Sequence, residues 1–304
     1  MNISLLSAAL LSLISGSAFA DKPTPADVLD LSYWSLSLPY DSTGSGKATT
    51  IKEKELAGGF SDPDYFYVNE VGDGVVFSSP IQGVLTSKNT TYTRSELREM
   101  GRRGDTSYNT KGVNKNNWVF SSAPIADQQK AGGVNGIMNA ILSVDEVTTT
   151  GVTWQQGRVI VGQIHANDDE PVKLYYRKFP NHELGSVFIT HEPRDGDDVA
   201  YPLLGTNVPD YYTQDGEVVE PIDGIKLGEK WSYQIKVIGN ELTVTVRRIG
   251  KPEVVQVVDM SESRYDTGGQ YMYFKAGAYN QNKTGALDER TTATFYDLKV
   301  WHGK

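Results

Sequence analysis

Apolar and polar residues alternate with period two in run after run between residues 74 and 301, and this pattern most narrows the folds open to the chain. Such alternation buries one face and wets the other, as a strand does in a sheet. It predicts strands over Gly74–Ser79, Tyr92–Glu99, Trp118–Ser122, Ile137–Val147, Arg158–Ala166 and Val172–Phe179. It predicts further strands over Val187–His191, Trp231–Ile238, Leu242–Arg248, Val254–Val258, Tyr271–Tyr279 and Ala293–Trp301. Gly239-Asn240, between two of these runs, is a hairpin signal. No amphipathic helix of three turns or more stands out. Thr24-Pro25-Ala26-Asp27 opens only a short helix ending before Trp34, with Thr24 as cap and Pro25 in the first turn. Many strands joined by Gly- and Asn-rich connections argue for an all-β sandwich or barrel. Tyr40–Asp64 and Arg194–Gly228 read as the two long loops, of the kind that border a site or move.

Residues 1–20 read as an export signal, and 21–304 as a single domain. Leu5–Ile14 is apolar and uncharged, and Ala18-Phe19-Ala20 has the small-x-small pattern of a cleavage site. No Lys or Arg precedes the apolar run, which is too short to span a bilayer. The chain has no Cys, so it has no disulfide framework, thiolate nucleophile or Cys-ligated metal. Its net charge of −9 disfavours nucleic acid and anionic membranes. A polyanionic substrate would need basic residues gathered in one cleft. Asp195, Asp197 and Asp198 lack the spacing of a calcium loop and read as a solvated acidic segment.

Three strand segments carry unusual polar faces. In Arg94-Ser95-Glu96-Leu97-Arg98-Glu99, alternation sends Arg94, Glu96 and Arg98 to one side. In Gln163-Ile164-His165, Gln163 and His165 share a face and Ile164 points into the core. In the run Tyr273–Gln281, Tyr273, Lys275, Tyr279 and Gln281 share one face, while Phe274, Ala276 and Ala278 pack behind. Each segment alone is read more economically as structure: surface ion pairs contribute little, and a lone strand His is more often hydrogen-bonded than catalytic.

Taken together, in this order, the segments resemble the signature segments of the alginate lyases of polysaccharide lyase family seven: Arg-Ser/Thr-Glu-Leu-Arg, Gln-Ile/Val-His and Tyr-Phe-Lys-Ala-Gly-x-Tyr-x-Gln. Trp34-Ser35-Leu36-Ser37-Leu38-Pro39 is similar to the family's opening strand. The resemblance runs from Trp34 to Trp301. It implies a jelly-roll sandwich of two curved antiparallel sheets, with the substrate in the concave face. It also implies a β-elimination that leaves a 4,5-unsaturated uronate.

That chemistry needs a carboxylate neutraliser, a base for the C5 proton and an acid for the leaving oxygen. The resemblance assigns neutralisation to Arg94 and Gln163 and proton transfer to His165 and Tyr279. Arg offers a planar fork that suits a carboxylate. Neutral imidazole is a base near neutral pH, and a phenol stays protonated and can donate. Tyr can also act as both base and acid, and the sequence does not choose between these. Arg98, Lys275 and Gln281 fall to neighbouring sugars, and Glu96, between the two arginines, holds their orientation.

Two other functions fit a polar β-sandwich. A glycoside hydrolase needs paired carboxylates, and no Glu-x-Asp-x-x-Glu string occurs; Asp145 and Glu146 point to opposite faces. A non-catalytic acidic-polysaccharide-binding module would not need His165 beside Tyr279. A lyase for another polyuronate keeps the chemistry and changes the polymer. No metal or cofactor is expected, since Arg94 and Gln163 neutralise charge and His182, His191 and His302 form no ligand spacing. The expected partner is alginate, met by a monomer in the periplasm or outside the cell. Ile164, where the mannuronate-directed relatives more often have Val, points to a preference for guluronate.

Overall fold

The structure is a computed structural model that describes residues 22–205 and 219–304. The export signal read in 1–20 lies outside the described residues, as does 206–218 of the second long loop. Two sheets form the molecule. The first has nine strands: β1 (Trp34–Leu38), β2 (Thr49–Ile51), β5 (Arg94–Glu99), β8 (Arg158–His165), β9 (Val172–Arg177), β10 (Leu184–His191), β11 (Val199–Leu204), β12 (Ile225–Lys226) and β16 (Tyr273–Asn280). The second has eight: β3 (Phe66–Val68), β4 (Val75–Pro80), β6 (Trp118–Val119), β7 (Gly133–Glu146), β13 (Trp231–Ile238), β14 (Glu241–Arg248), β15 (Val254–Asp259) and β17 (Arg290–Gly303). Among the described residues, every strand pairing is antiparallel except the short one between β6 and β7. This is the expected all-β jelly-roll sandwich.

The first sheet is ordered β11-β10-β9-β8-β16-β5-β1-β2, with β12 added to β10. Three segments far apart in sequence thus become neighbours, with β16 between β5 and β8. The sheets are joined by a continuous core. Leu36, Leu97, Ile164, Phe274, Ala276 and Ala278 of the first meet Phe77, Met138, Leu142, Ile235 and Phe295 of the second, all fully buried. Each large apolar side chain so buried contributes about 1.5–3 kcal/mol, and with no Cys in the chain this packing carries the stability. Within the second sheet Phe77 meets Phe295 edge-on at 5.2 Å, and across the interface Trp118 packs on Phe274 at 5.1 Å.

The helix expected at Thr24 is α1 (Pro25–Val28), where the Thr24 backbone N–H and Oγ1–H both donate to Asp27 Oδ2, at 2.7 and 2.8 Å. Gly239, at φ +59°, opens the two-residue turn between β13 and β14. Both long loops contain more structure than their sequence suggests. Tyr40–Asp64 holds β2 and α2 (Glu53–Ala57), and Arg194–Gly228 holds β11 and β12. Pro202 inside β11 argues against a strand, but β11 is an edge strand, where a missing N–H costs no ladder bond. β2 is only three residues long, too short for its alternation to register. A third helix, α3 (Ile125–Lys130), follows β6, whose pairing ends at Val119 rather than Ser122. Among the described residues, no helix is long and apolar enough to cross a membrane.

Candidate active site

Register places the three polar faces side by side. On β16, Lys275 lies opposite Arg98 of β5 and Gln163 of β8, Tyr279 opposite Arg94, Gly277 opposite Glu96, and Tyr273 opposite His165. Two irregularities tune this array. One extra residue on β8 near Val161–Gly162 lets Ile160 and Gln163 share the outer face while Val159, Val161 and Ile164 stay in the core. The Tyr233 hydroxyl of the opposite sheet donates to Val161 O at 3.0 Å, and a Cβ on Gly162 would fall 2.6 Å from that hydroxyl oxygen. The second irregularity is on β16, where Gly277 takes φ +143°. A Cβ there would fall 2.5 Å from Ser95 O.

The floor of the site is organised by Glu96, which is 2% exposed. Arg94 Nη1 donates to Glu96 Oε2 at 2.8 Å, Lys275 Nζ pairs with the same oxygen, and Gln163 Nε2 donates to Oε1. Burial opposes the Glu96 charge, but Lys275 and Arg94 hold its carboxyl below the usual range, so it is anionic. The Arg94 guanidinium lies 3.6 Å from the centre of the Tyr279 ring, and its Nε is buried without a hydrogen-bond partner. Burial and the Arg94 charge bring Lys275 down to about 8. Burial raises the Tyr279 hydroxyl, against the pull of Arg94, so it remains a proton donor at neutral pH.

His165 stacks on Tyr273, with ring centres 5.0 Å apart. Its Nδ1 lies 2.7 Å from Ala166 O, an acceptor, which places the proton of the neutral ring on Nδ1 and leaves the lone pair on Nε2. Burial, then the charge of Lys275, push this imidazole down to about 3, so it is neutral at neutral pH. His191 and His302 are engaged elsewhere, by Pro171 O and Ser263 Oγ and by Asn135 O and Glu99 Oε1.

A cleft of about 380 Å³ opens over this floor, lined by Arg94, Arg98, His165, Lys275 and Tyr279 among the expected residues. Gln163 and Glu96 lie beneath it. Glu96 does not hold both arginines: Arg98 turns away, donating to Thr110 O at 2.7 Å and stacking 3.9 Å over Tyr273. Gln281 does not reach the cleft. It is 3% exposed and donates to Asn280 O at 3.1 Å, because β16 ends at Asn280 and the alternation stops one residue short.

Sequence reasoning missed the walls. Thr86, Ser87, Asn89 and Thr90 form one side, and Asp168 and Glu170 of the β8–β9 turn form another. A second cleft of about 340 Å³ shares Ser37, Arg98 and Tyr273 with the first and adds Lys52, Arg102 and Lys111. Arg102 is paired there with Glu53 at 2.7 Å, so Lys52 and Lys111, with Arg98, supply the local positive charge that an overall acidic chain needs for a polyanion. Turns carry no periodicity, so none of these turn residues was named from the sequence, although the loop Tyr40–Asp64, read as one that borders a site or moves, does supply Lys52.

The chain matches the alginate lyase family model over residues 29–302. An alginate lyase of Klebsiella pneumoniae is 58% identical over 297 residues, covering 97% of this chain and 96% of its own. The crystal structure of the alginate lyase from Klebsiella pneumoniae, at 59% identity, gives a TM-score of 0.90 over 92% of this chain and 99% of that one. An alginate lyase structure from Pseudomonas aeruginosa, at 29% identity, gives 0.62 over 90% and 99%. Fold and cleft together define a polysaccharide lyase. The chain belongs to the alginate lyases of polysaccharide lyase family seven.

Proposed function

We propose that this chain cleaves alginate by β-elimination, with a preference for guluronate-containing stretches. The observation that carries the mechanism is the single cleft in which Arg94 and Lys275, tied through Glu96, lie beside a neutral His165 and a protonated Tyr279. The sugar carboxylate meets Arg94 and the remaining amide hydrogen of Gln163. Removing the C5 proton builds charge on that carboxylate, and preorganised donors aimed at developing charge typically contribute ~3–4 kcal/mol each. His165 Nε2 accepts the C5 proton and the Tyr279 hydroxyl protonates the departing O4. The two carboxylates lining the cleft, Asp168 and Glu170, come from one turn rather than from opposite sides, which does not suit a glycoside hydrolase.

The positive charge comes from side chains, so the reaction needs no metal ion. The cleft is complete within one chain, which supports a monomer. The leader in 1–20 supports export, with the enzyme working in the periplasm or beyond it.

The guluronate preference rests on Ile164. It is fully buried in the core, directly behind Gln163 and His165, and can act only by setting their height over the sugar. Interiors register one methylene, typically worth ~1–3 kcal/mol in specificity. Initial rates of ultraviolet absorbance on guluronate-rich and mannuronate-rich blocks test this, for the native chain and for Ile164→Val. Faster cleavage of guluronate blocks, with the ratio narrowed in Ile164→Val, is expected. Faster cleavage of mannuronate blocks by the native chain contradicts the preference.

A further inference from the structure

We propose that Glu170 is the positioning residue of His165, holding its ring as the imidazolium forms and receiving its proton after each elimination. The inference rests on the assignment of His165 as the base.

The geometry is that of a three-membered chain. His165 is fixed at one end through Nδ1 to Ala166 O, at 2.7 Å. At the other end, Nε2 faces Glu170 Oε1 at 3.2 Å. Both ring nitrogens therefore point at oxygen acceptors, the arrangement that stabilises an imidazolium. A neutral ring supplies only one proton to these two acceptors, and the backbone carbonyl holds it. Nε2 is the ring nitrogen left to take the C5 proton, and Glu170 is the group it faces until sugar arrives.

Glu170 is placed to move. Its side chain is 24% exposed, and it sits in the short turn between β8 and β9. Its other oxygen lies 3.5 Å from Lys173 Nζ, and its carboxyl also meets that of Glu192. Lys173 is itself held more closely by Glu192 at 3.0 Å and Asp198 at 3.1 Å. The other charged or titratable groups around the pair are Arg94 and Glu96 on β5, Tyr273, Lys275 and Tyr279 on β16, and Asp168 and Asp169 in the same turn. Burial and the two floor cations, Lys275 and Arg94, disfavour a second proton on His165, and Glu96 only partly opposes them. A single carboxylate at Nε2 offsets this at the moment the ring becomes charged.

The proton balance closes. The C5–H bond breaks and its electron pair becomes the C4=C5 double bond. The C4–O4 bond breaks, and O4 takes a proton from Tyr279. His165 is left as imidazolium between Ala166 O and Glu170, and Tyr279 as phenolate. Nε2 passes its proton to Glu170 and on to water, and Tyr279 recovers one from water.

Steady-state kinetics on alginate test the proposal in Glu170→Ala, Glu170→Gln and Glu170→Asp, beside His165→Ala. A hydrogen bond to a charged group corresponds to about 10–100-fold in rate. Ala and Gln are expected to lower kcat by about that factor, while KM stays level or falls, because a negative charge leaves a cleft built for a polyanion. Asp restores part of kcat. The ring nitrogens of His165, read by 15N NMR, shift in the Ala variant with no loss of thermal stability. A kcat in Ala and Gln within about twofold of the native value, with His165→Ala inactive, overturns the role of Glu170 alone. A loss of kcat accompanied by a raised KM and a lowered Tm makes Glu170 merely structural and also overturns it. Activity in His165→Ala removes the base assignment beneath.

Discussion

At the scale of single residues, one buried carboxylate explains most of the site. Glu96 is surrounded by Arg94, Lys275 and Gln163, and breaking such a buried arrangement from one side leaves charge uncompensated, typically at a cost of several kcal/mol. Lys275 shows the consequence for binding. Burial and the nearby Arg94 hold it at about 8, well below an ordinary lysine, so its charge is present below that pH and lost above it. KM for alginate is therefore expected to rise as pH climbs through about 8, with kcat changing less. Lys275→Arg, which stays charged, should flatten that rise, and Lys275→Ala should show a high KM throughout. A native KM that stays level from neutral pH to well above 8 contradicts a binding role for this charge. Arg94, Gln163, His165 and Tyr279 were legible because alternation puts each on the polar face of its own strand and the resemblance to the family's signature segments groups them; alternation alone does not bring the three strands together. Glu170 was not, since it reaches His165 from a turn whose path no period describes.

Among elements, β16 matters most, because it lies between the other two motif strands and sets their spacing. Its glycine at 277 is a backbone requirement rather than a gap. It lies opposite Glu96, at a φ that a side chain rarely adopts, and a Cβ would meet Ser95 O and the Glu96 Cα at 2.5 and 2.9 Å. Gly277→Ala is expected to cost about 1–3 kcal/mol in unfolding free energy and to lower kcat as well, by shifting Glu96. Denaturant unfolding and activity on one preparation check this; unchanged stability with native kcat would mean the strand absorbs the side chain freely. Most long strands were readable from period-two alternation. What escaped were departures from the period and strands too short to show one: the extra residue near Val161–Gly162, the proline-bearing edge strand β11 and the two- and three-residue strands β2, β3 and β12. Ile160 illustrates the cost. Uninterrupted alternation from Ile164 would put it in the main core, yet the bulge turns it outwards to pack with Tyr175 and Phe188.

For the whole molecule, the sandwich provides a rigid support for polar groups that would otherwise repel one another. Arg94 and Lys275 lie close together on a floor backed by Phe274, Ala276 and Leu97, and that packing, not surface ion pairing, holds them there. The acidic net charge and the basic cleft are compatible, because steering depends on local field rather than on total charge. The same arrangement separates elimination from hydrolysis. In the proposed mechanism a floor of cations with a neutral base and a phenol stabilises an enolate-like carboxylate, whereas hydrolysis needs two facing carboxyls. The most direct test follows ultraviolet absorbance and new reducing ends in the same alginate digest. One conjugated 4,5-unsaturated uronate should appear for every reducing end formed, and both signals should fall together, by about 10²–10⁴-fold, in His165→Ala and Tyr279→Phe. Reducing ends without that absorbance would mean hydrolysis, and would contradict the account of the cleft.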